Sequence, residues 1–198
     1  QLSVGGAELP FTTTHVSAAA GLVTWSLIES IKDGKTTAVG MATGAVAGLV
    51  GITPAAGFVN PASGMLIGAI TSGLCYLSVQ LKIKLSFDDS LDTFAVHGVG
   101  GTAGALLTGI FARPELIASH PAGLVLEQQG RMGLILGQLQ AVLIAYAIAA
   151  IGTLVIAIVL KSLGCNYRVN TTAEQSGLDI SEHGEEAYAE KAGSPSAI

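Results

Sequence analysis

The chain has 198 residues and a net charge of −5; 50% of its residues are hydrophobic, only 12% are charged, and mean hydropathy is +0.61. A soluble domain carries about 25% charge, so the composition points to lipid as solvent. With the acidic excess gathered at the C-terminal end and no basic patch, it excludes nucleic acid as a partner.

The chain opens at Gln1 with neither Met nor a basic stretch before the first apolar run, so it reads as a fragment or processed product without a signal peptide. A helix crossing hydrocarbon needs about 20 mostly apolar residues. The first predicted span covers 11–31, with Glu29 and Lys32 marking its end. The charge-free stretch 36–81 is too long for one span and is interrupted by Thr53-Pro54 and Asn60-Pro61, giving spans at 36–53 and 62–82 joined by a tight turn. The fourth, 91–112, holds Asp92 and His97 and ends at Arg113-Pro114. The fifth, 132–161, is long enough to span with tilt or to extend beyond the bilayer.

The expected fold is therefore all-α and integral to the membrane, with five transmembrane helices. A membrane part, 1–165, precedes a polar, acidic tail, 166–198. Lys32, Lys35, Lys82, Lys84, Lys161 and Arg168 follow spans one, three and five, against Arg113 and Arg131 between spans four and five. This bias puts the N-terminus outside and the tail in the cytoplasm. The tail reads either as a solvated, disordered end or as an ordered regulatory segment up to Tyr188, with disorder beyond.

Gly40, Gly44 and Gly48 form two overlapping G-x-x-x-G units, with Gly51 one turn on, and Gly64/Gly68 and Gly133/Gly137 repeat the spacing. A glycine face lets a second helix approach closely, which is how helices associate where lipid offers no hydrophobic drive. Cys75 and Cys165 show neither metal-ligand spacing nor a disulfide framework, and read as packing residues; no cofactor or metal is expected.

In the fourth span, helical spacing sets Thr93, His97, Gly100 or Gly101, Gly104 and Thr108 on one face. An ionisable residue in hydrocarbon is costly and should face the bundle interior or a cavity. A neutral imidazole offers one donor and one acceptor and exchanges a proton near neutral pH, which suits a small protonatable solute. The same stripe also fits a histidine that makes only an interhelical hydrogen bond. Asp88, Asp89 and Asp92 read as solvated acids or as caps of a helix start. His15 sits near the outer end of the first span and reads as a snorkelling or locally bonded residue; His120 and His183 have no ligand-like surroundings. Trp25 and Tyr76 read as anchors or packing residues.

The segment Asp88-Asp89-Ser90-Leu91-Asp92-Thr93-Phe94-Ala95-Val96-His97-Gly98-Val99-Gly100-Gly101 resembles the second pore-histidine segment of the ammonium transporter (Amt/Mep/Rh) family. The stretch from Gly44 to Gly57 is similar to the family's eighth helix and following turn. Thr108-Gly109-Ile110-Phe111 is similar to the close of its tenth helix, and the stretch from Gly177 to Tyr188 to its cytoplasmic tail signature. The resemblance implies helices seven to eleven of an eleven-helix subunit, a homotrimer, and a pore between inverted repeats. It implies that His97 is the second of two pore histidines, that Thr93 lines the pathway where the family is often apolar, and that Asp92 sits at the cytoplasmic pore mouth. Ser90 stands where the family usually has proline.

The implied function is transport of ammonium or ammonia, not enzymatic catalysis, in a cell (inner or plasma) membrane, with a nitrogen-regulatory signal protein as a partner at the cytoplasmic face. The alternatives are an ammonium sensor that signals through the tail, and a channel for another small neutral molecule. In the family pattern the first pore histidine, the outer aromatic gate and the recruiting residues precede Gln1, so the chain alone is expected to be inactive.

Overall fold

The computed structural model describes residues 4–165 and 168–185, all of whose regular elements are helical. Contacts divide the chain into two units, 1–146 and 147–198.

In the first unit, α1 (Val4–Asp33), α2 (Ala38–Ile52) and α3 (Pro61–Lys84) pack on one another. A π-helical turn, Phe94–Gly98, leads into α4 (Val99–Phe111), which lies against α2 and α3. The short α5 (Pro114–Ile117) precedes the long α6 (Pro121–Ser162), whose first part belongs to this unit. Caps set the helix starts. The Thr37 hydroxyl accepts from the Gly40 N–H at 2.9 Å, and the Asn60 carboxamide accepts from the Ser63 N–H at 2.8 Å with Pro61 in the first turn. Each satisfies a donor that the helix itself leaves unpaired.

The glycine ladder of α2 is a contact face. A Cβ on Gly44 would meet Trp25, one on Gly48 the Ser17 carbonyl oxygen, and one on Gly51 the Thr71 side chain. Hydroxyls staple the same crossings: Ser17 donates to Gly48 O at 2.8 Å, Ser72 to Gly21 O at 2.8 Å, and Thr13 to Ala56 O at 2.7 Å. In surroundings this apolar, a side-chain hydroxyl on a neighbouring carbonyl is the economical use of a polar atom. Gly64 and Gly68 meet Thr13 and Ser17 of α1 in the same way. Gly133 and Gly137 do not: Gly137 faces open space, and Gly133 meets only side chains of its own helix.

Among the described residues, three helical stretches are long and apolar enough to cross a membrane: Pro61–Lys84, Phe94–Phe111 and Pro121–Ser162. Five spans are expected from the sequence; α1 has the length but carries Glu8, Thr12, Thr13, Thr14 and His15 along it. The apolar α2 has 15 residues, about 22 Å at the helical rise and short of a bilayer core of about 30 Å. The fourth expected span begins three residues late, at Phe94, because Asp92 adopts φ 54° and lies outside the helix. The last begins at Pro121, not at 132, and bends at Gly130, whose φ 68° and ψ −169° only glycine takes without strain.

Arg131 Nη1 donates to Ala112 O at 2.5 Å, and the Arg113 N–H donates to Phe58 O at 2.8 Å, tying the end of α4 to α6 and to the turn after α2.

The second unit holds the rest of α6, the six-residue α7 (Thr171–Ser176) and a π-helical turn, Asp179–His183, closed by Gly184 at φ 74°. Asn170 caps α7 by accepting from the Ala173 N–H at 2.7 Å, and Arg168 pairs with Glu174 at 2.8 Å. Tyr188, the end of the tail segment expected to be ordered, lies outside the described residues.

Candidate functional site

The site is built on the π turn. Asp89 starts it: its two carboxylate oxygens accept from the Thr93 and Phe94 N–H groups, each at 2.9 Å. Two of a helix start's free donors are thereby satisfied by one negative charge at the positive end of the helix dipole. Asp92 has another role. Its carboxylate pairs with Lys82 at 2.5 Å, and Lys82 also donates to Asp89 O. Of the acids read as caps, Asp89 is the cap and Asp92 the ion-pair partner.

A π turn holds one residue more than an α turn, and one residue corresponds to about 100° around the axis. The expected single stripe is split accordingly. Gly100, Gly104 and Thr108 are buried, with Gly100 against Cys75 and Val50, and Gly104 against the Gly51 backbone. His97 is exposed, and a Cβ on Gly101 would meet nothing within 4 Å. The helix therefore has a packed glycine face and a separate open face that carries the imidazole. His97 makes no hydrogen bond or ion pair among the described residues. Thr93, at the start of the turn, is exposed as well, while Asp92 is half-buried on Lys82.

Two carbonyls flanking His97 are held by side chains from other helices. The Cys75 thiol of α3 donates to Val96 O at 3.6 Å. Gly98 O accepts from Thr102 Oγ1 at 2.8 Å and from the Tyr146 hydroxyl of α6 at 3.2 Å, and the two hydroxyls lie 2.8 Å apart. Neither Tyr146 nor Thr102 stands out in the sequence. They are 48 and 4 residues from Gly98, and only the fold unites them.

The other histidines serve locally. His15 Nδ1 bonds to Phe11 O at 2.9 Å, and its ring lies 4.2 Å from the Phe11 ring. The His120 ring lies against Phe58, and its Nδ1 accepts from the Ala122 N–H at 3.3 Å. His183 is exposed in the π turn of the second unit. Among the described residues no group of His, Cys, Asp and Glu has a metal-binding arrangement.

The model of the Ammonium Transporter Family matches residues 2–188. An ammonium transporter of Bacillus subtilis (strain 168) is 42% identical over 185 residues, covering 93% of this chain and 45% of that protein. Among solved structures, Saccharomyces cerevisiae Mep2 matches with a TM-score of 0.64 at 38% identity, covering 76% of this chain and 37% of that one. A structure described as "Sensor Amt Protein" matches with a TM-score of 0.76 at 30% identity, covering 92% of this chain and 43% of that one. The chain thus spans less than half the length of each of these relatives.

Proposed function

The chain belongs to the ammonium transporter family, and on that premise we propose that it contributes a histidine-lined wall to a pore that carries ammonium or ammonia across a membrane. The observation that carries this reading is the split of the fourth span. One face is consumed by packing, and a separate face presents His97 with the open Gly101 position beside it.

An isolated ammonium ion moved into apolar surroundings costs tens of kcal/mol, on the order of a Born penalty. A narrow apolar lumen therefore favours the neutral ammonia once the proton has been given up. A neutral imidazole on the wall can donate to the ammonia lone pair or accept from its N–H, and can take up or return the proton. His97 has this role, with Thr93 beside the pathway and Asp92, neutralised by Lys82, at the cytoplasmic mouth. The Thr93 hydroxyl adds polarity to the wall.

In this reading five helices, α1, α2, α3, the π turn with α4, and α6, cross the bilayer, with the tail cytoplasmic. The short α2 reaches across with the turn that follows it. The subunit forms a homotrimer, and a nitrogen-regulatory signal protein binds the cytoplasmic face. A second reading, an ammonium sensor that signals through the tail, draws support from the likeness to the structure described as "Sensor Amt Protein". Uptake of a methylated ammonium analogue by the full-length protein, compared between wild type and His97→Ala, separates the two. Transport requires uptake that depends on His97, whereas a sensor binds ammonium with no sustained flux.

A further inference from the structure

We infer that Tyr146 and Cys75 are positioning residues for His97, acting through the two main-chain carbonyls that bracket it. The inference rests on the reading of His97 as the pore residue and adds the parts that aim it.

The π turn poses a mechanical problem. A turn of this kind is a local departure from the α-helical ladder, and a side chain carried on it keeps its direction only if the backbone on both sides is held. The backbone is held on both sides. On the N-terminal side, Val96 O receives the Cys75 thiol at 3.6 Å and the Val99 N–H. Cys75 is fully buried among Trp25, Ala47, Tyr76 and Val96. On the C-terminal side, Gly98 O, Thr102 Oγ1 and the Tyr146 hydroxyl form a triangle with edges of 2.8, 2.8 and 3.2 Å. Thr102 donates its one hydroxyl proton to Gly98 O, and the single Tyr146 hydroxyl proton is directed at Gly98 O with the Thr102 hydroxyl beside it. Because His97 lies between these two held carbonyls, a shift of the turn at His97 would disturb the bond to Cys75 or the one to Tyr146. The two anchors come from different helices, α3 and α6, so the orientation of the imidazole is coupled to how both pack on the turn.

The Tyr146 hydroxyl reaches the carbonyl of Gly98, the residue after His97, and Tyr146 as a whole is 41% exposed. Removing the hydroxyl alters the aim of the imidazole without changing any group that would meet the solute directly in the proposed pathway.

The test uses the full-length protein in cells, with methylammonium as the probe and uptake normalised to the amount of protein in the membrane. The variants are Tyr146→Phe, Cys75→Ala, Cys75→Ser and His97→Ala. The expected result is a normalised Vmax about three- to tenfold lower for Tyr146→Phe and Cys75→Ala, the scale of one lost hydrogen bond. KM should stay within about twofold, and the pH profile of uptake should be displaced, because the imidazole sits in altered surroundings. Cys75→Ser keeps a donor and should return most of the rate. Wild-type Vmax and pH profile in both Tyr146→Phe and Cys75→Ala, alongside a damaged His97→Ala, would overturn the positioning role alone. So would losses that leave the pH profile unmoved and that Cys75→Ser does not relieve, since those denote packing only. Wild-type uptake in His97→Ala would remove the pore reading itself, and the positioning role with it.

Discussion

Lys82 Nζ lies 2.5 Å from Asp92 Oδ1 and also donates to Asp89 O, so one cation ties the last turn of α3 to the loop that launches the π turn. The Lys82 and Asp92 side chains are 16% and 29% exposed, which leaves each charge poorly hydrated without the other. Lys82→Met should therefore lower stability by about 1–3 kcal/mol, mainly through the unpaired carboxylate left behind. Thermal unfolding of the purified protein in detergent measures this. The double variant Lys82→Met with Asp92→Asn should recover part of the loss. A double variant as unstable as the sum of both singles would mean that the two residues do not interact.

Asp92 also stands at φ 54°, where a β-branched side chain is strained and Asn or Gly is not. Asp92→Val should cost about 1–2 kcal/mol more than Asp92→Asn. Unfolding midpoints of the two variants give the comparison, and equal midpoints would contradict a left-handed conformation at this position.

Asp89 caps two N–H groups at 2.9 Å each. Asp89→Ala should destabilise the start of the π turn by about 1–2 kcal/mol, while Asp89→Asn keeps one acceptor and should lose less. Hydrogen exchange at the Thr93 and Phe94 amides reports this directly: exchange should speed up in Asp89→Ala and change little in the segment around Gly104.

The glycines divide by what lies opposite them. A Cβ at Gly48 would overlap the Ser17 carbonyl oxygen, which is main chain and cannot swing aside. Gly48→Ala should therefore cost about 1–3 kcal/mol through separation of α1 and α2. Gly137 faces open space, so Gly137→Ala should be neutral or should stabilise by up to about 1 kcal/mol through helix propensity. Melting temperatures measured side by side in one detergent check both signs.

The packing face of α2 is readable in the residues themselves, because close approach of two backbones demands glycine, and Gly44 and Gly48 supply it at four-residue spacing, with Gly40 one turn earlier against the Glu29 carboxylate. Asn60-Pro61 is readable as the break before the third span, while the caps that Thr37 and Asn60 form come from the structure. The split between the His97 face and the Gly104 face is not readable. A π turn carries no mark in composition, and a periodicity of 3.6 applied across it merges two faces that the backbone separates. The role of Asp92 is hidden because a residue with positive φ looks the same in sequence as a helix cap. Cys75 and Tyr146 are hidden because their partners lie 21 and 48 residues away, where only tertiary packing brings them together.

The central claim is that the open face of the fourth span is a pathway wall with His97 as its working group, and methylammonium uptake by full-length His97→Ala tests it most directly. With membrane amount and folding matched to wild type, the account predicts an uptake rate at least about tenfold lower or a changed preference between ammonia and ammonium, the scale of one catalytically placed proton-exchanging group. Uptake and ion selectivity equal to wild type would contradict it.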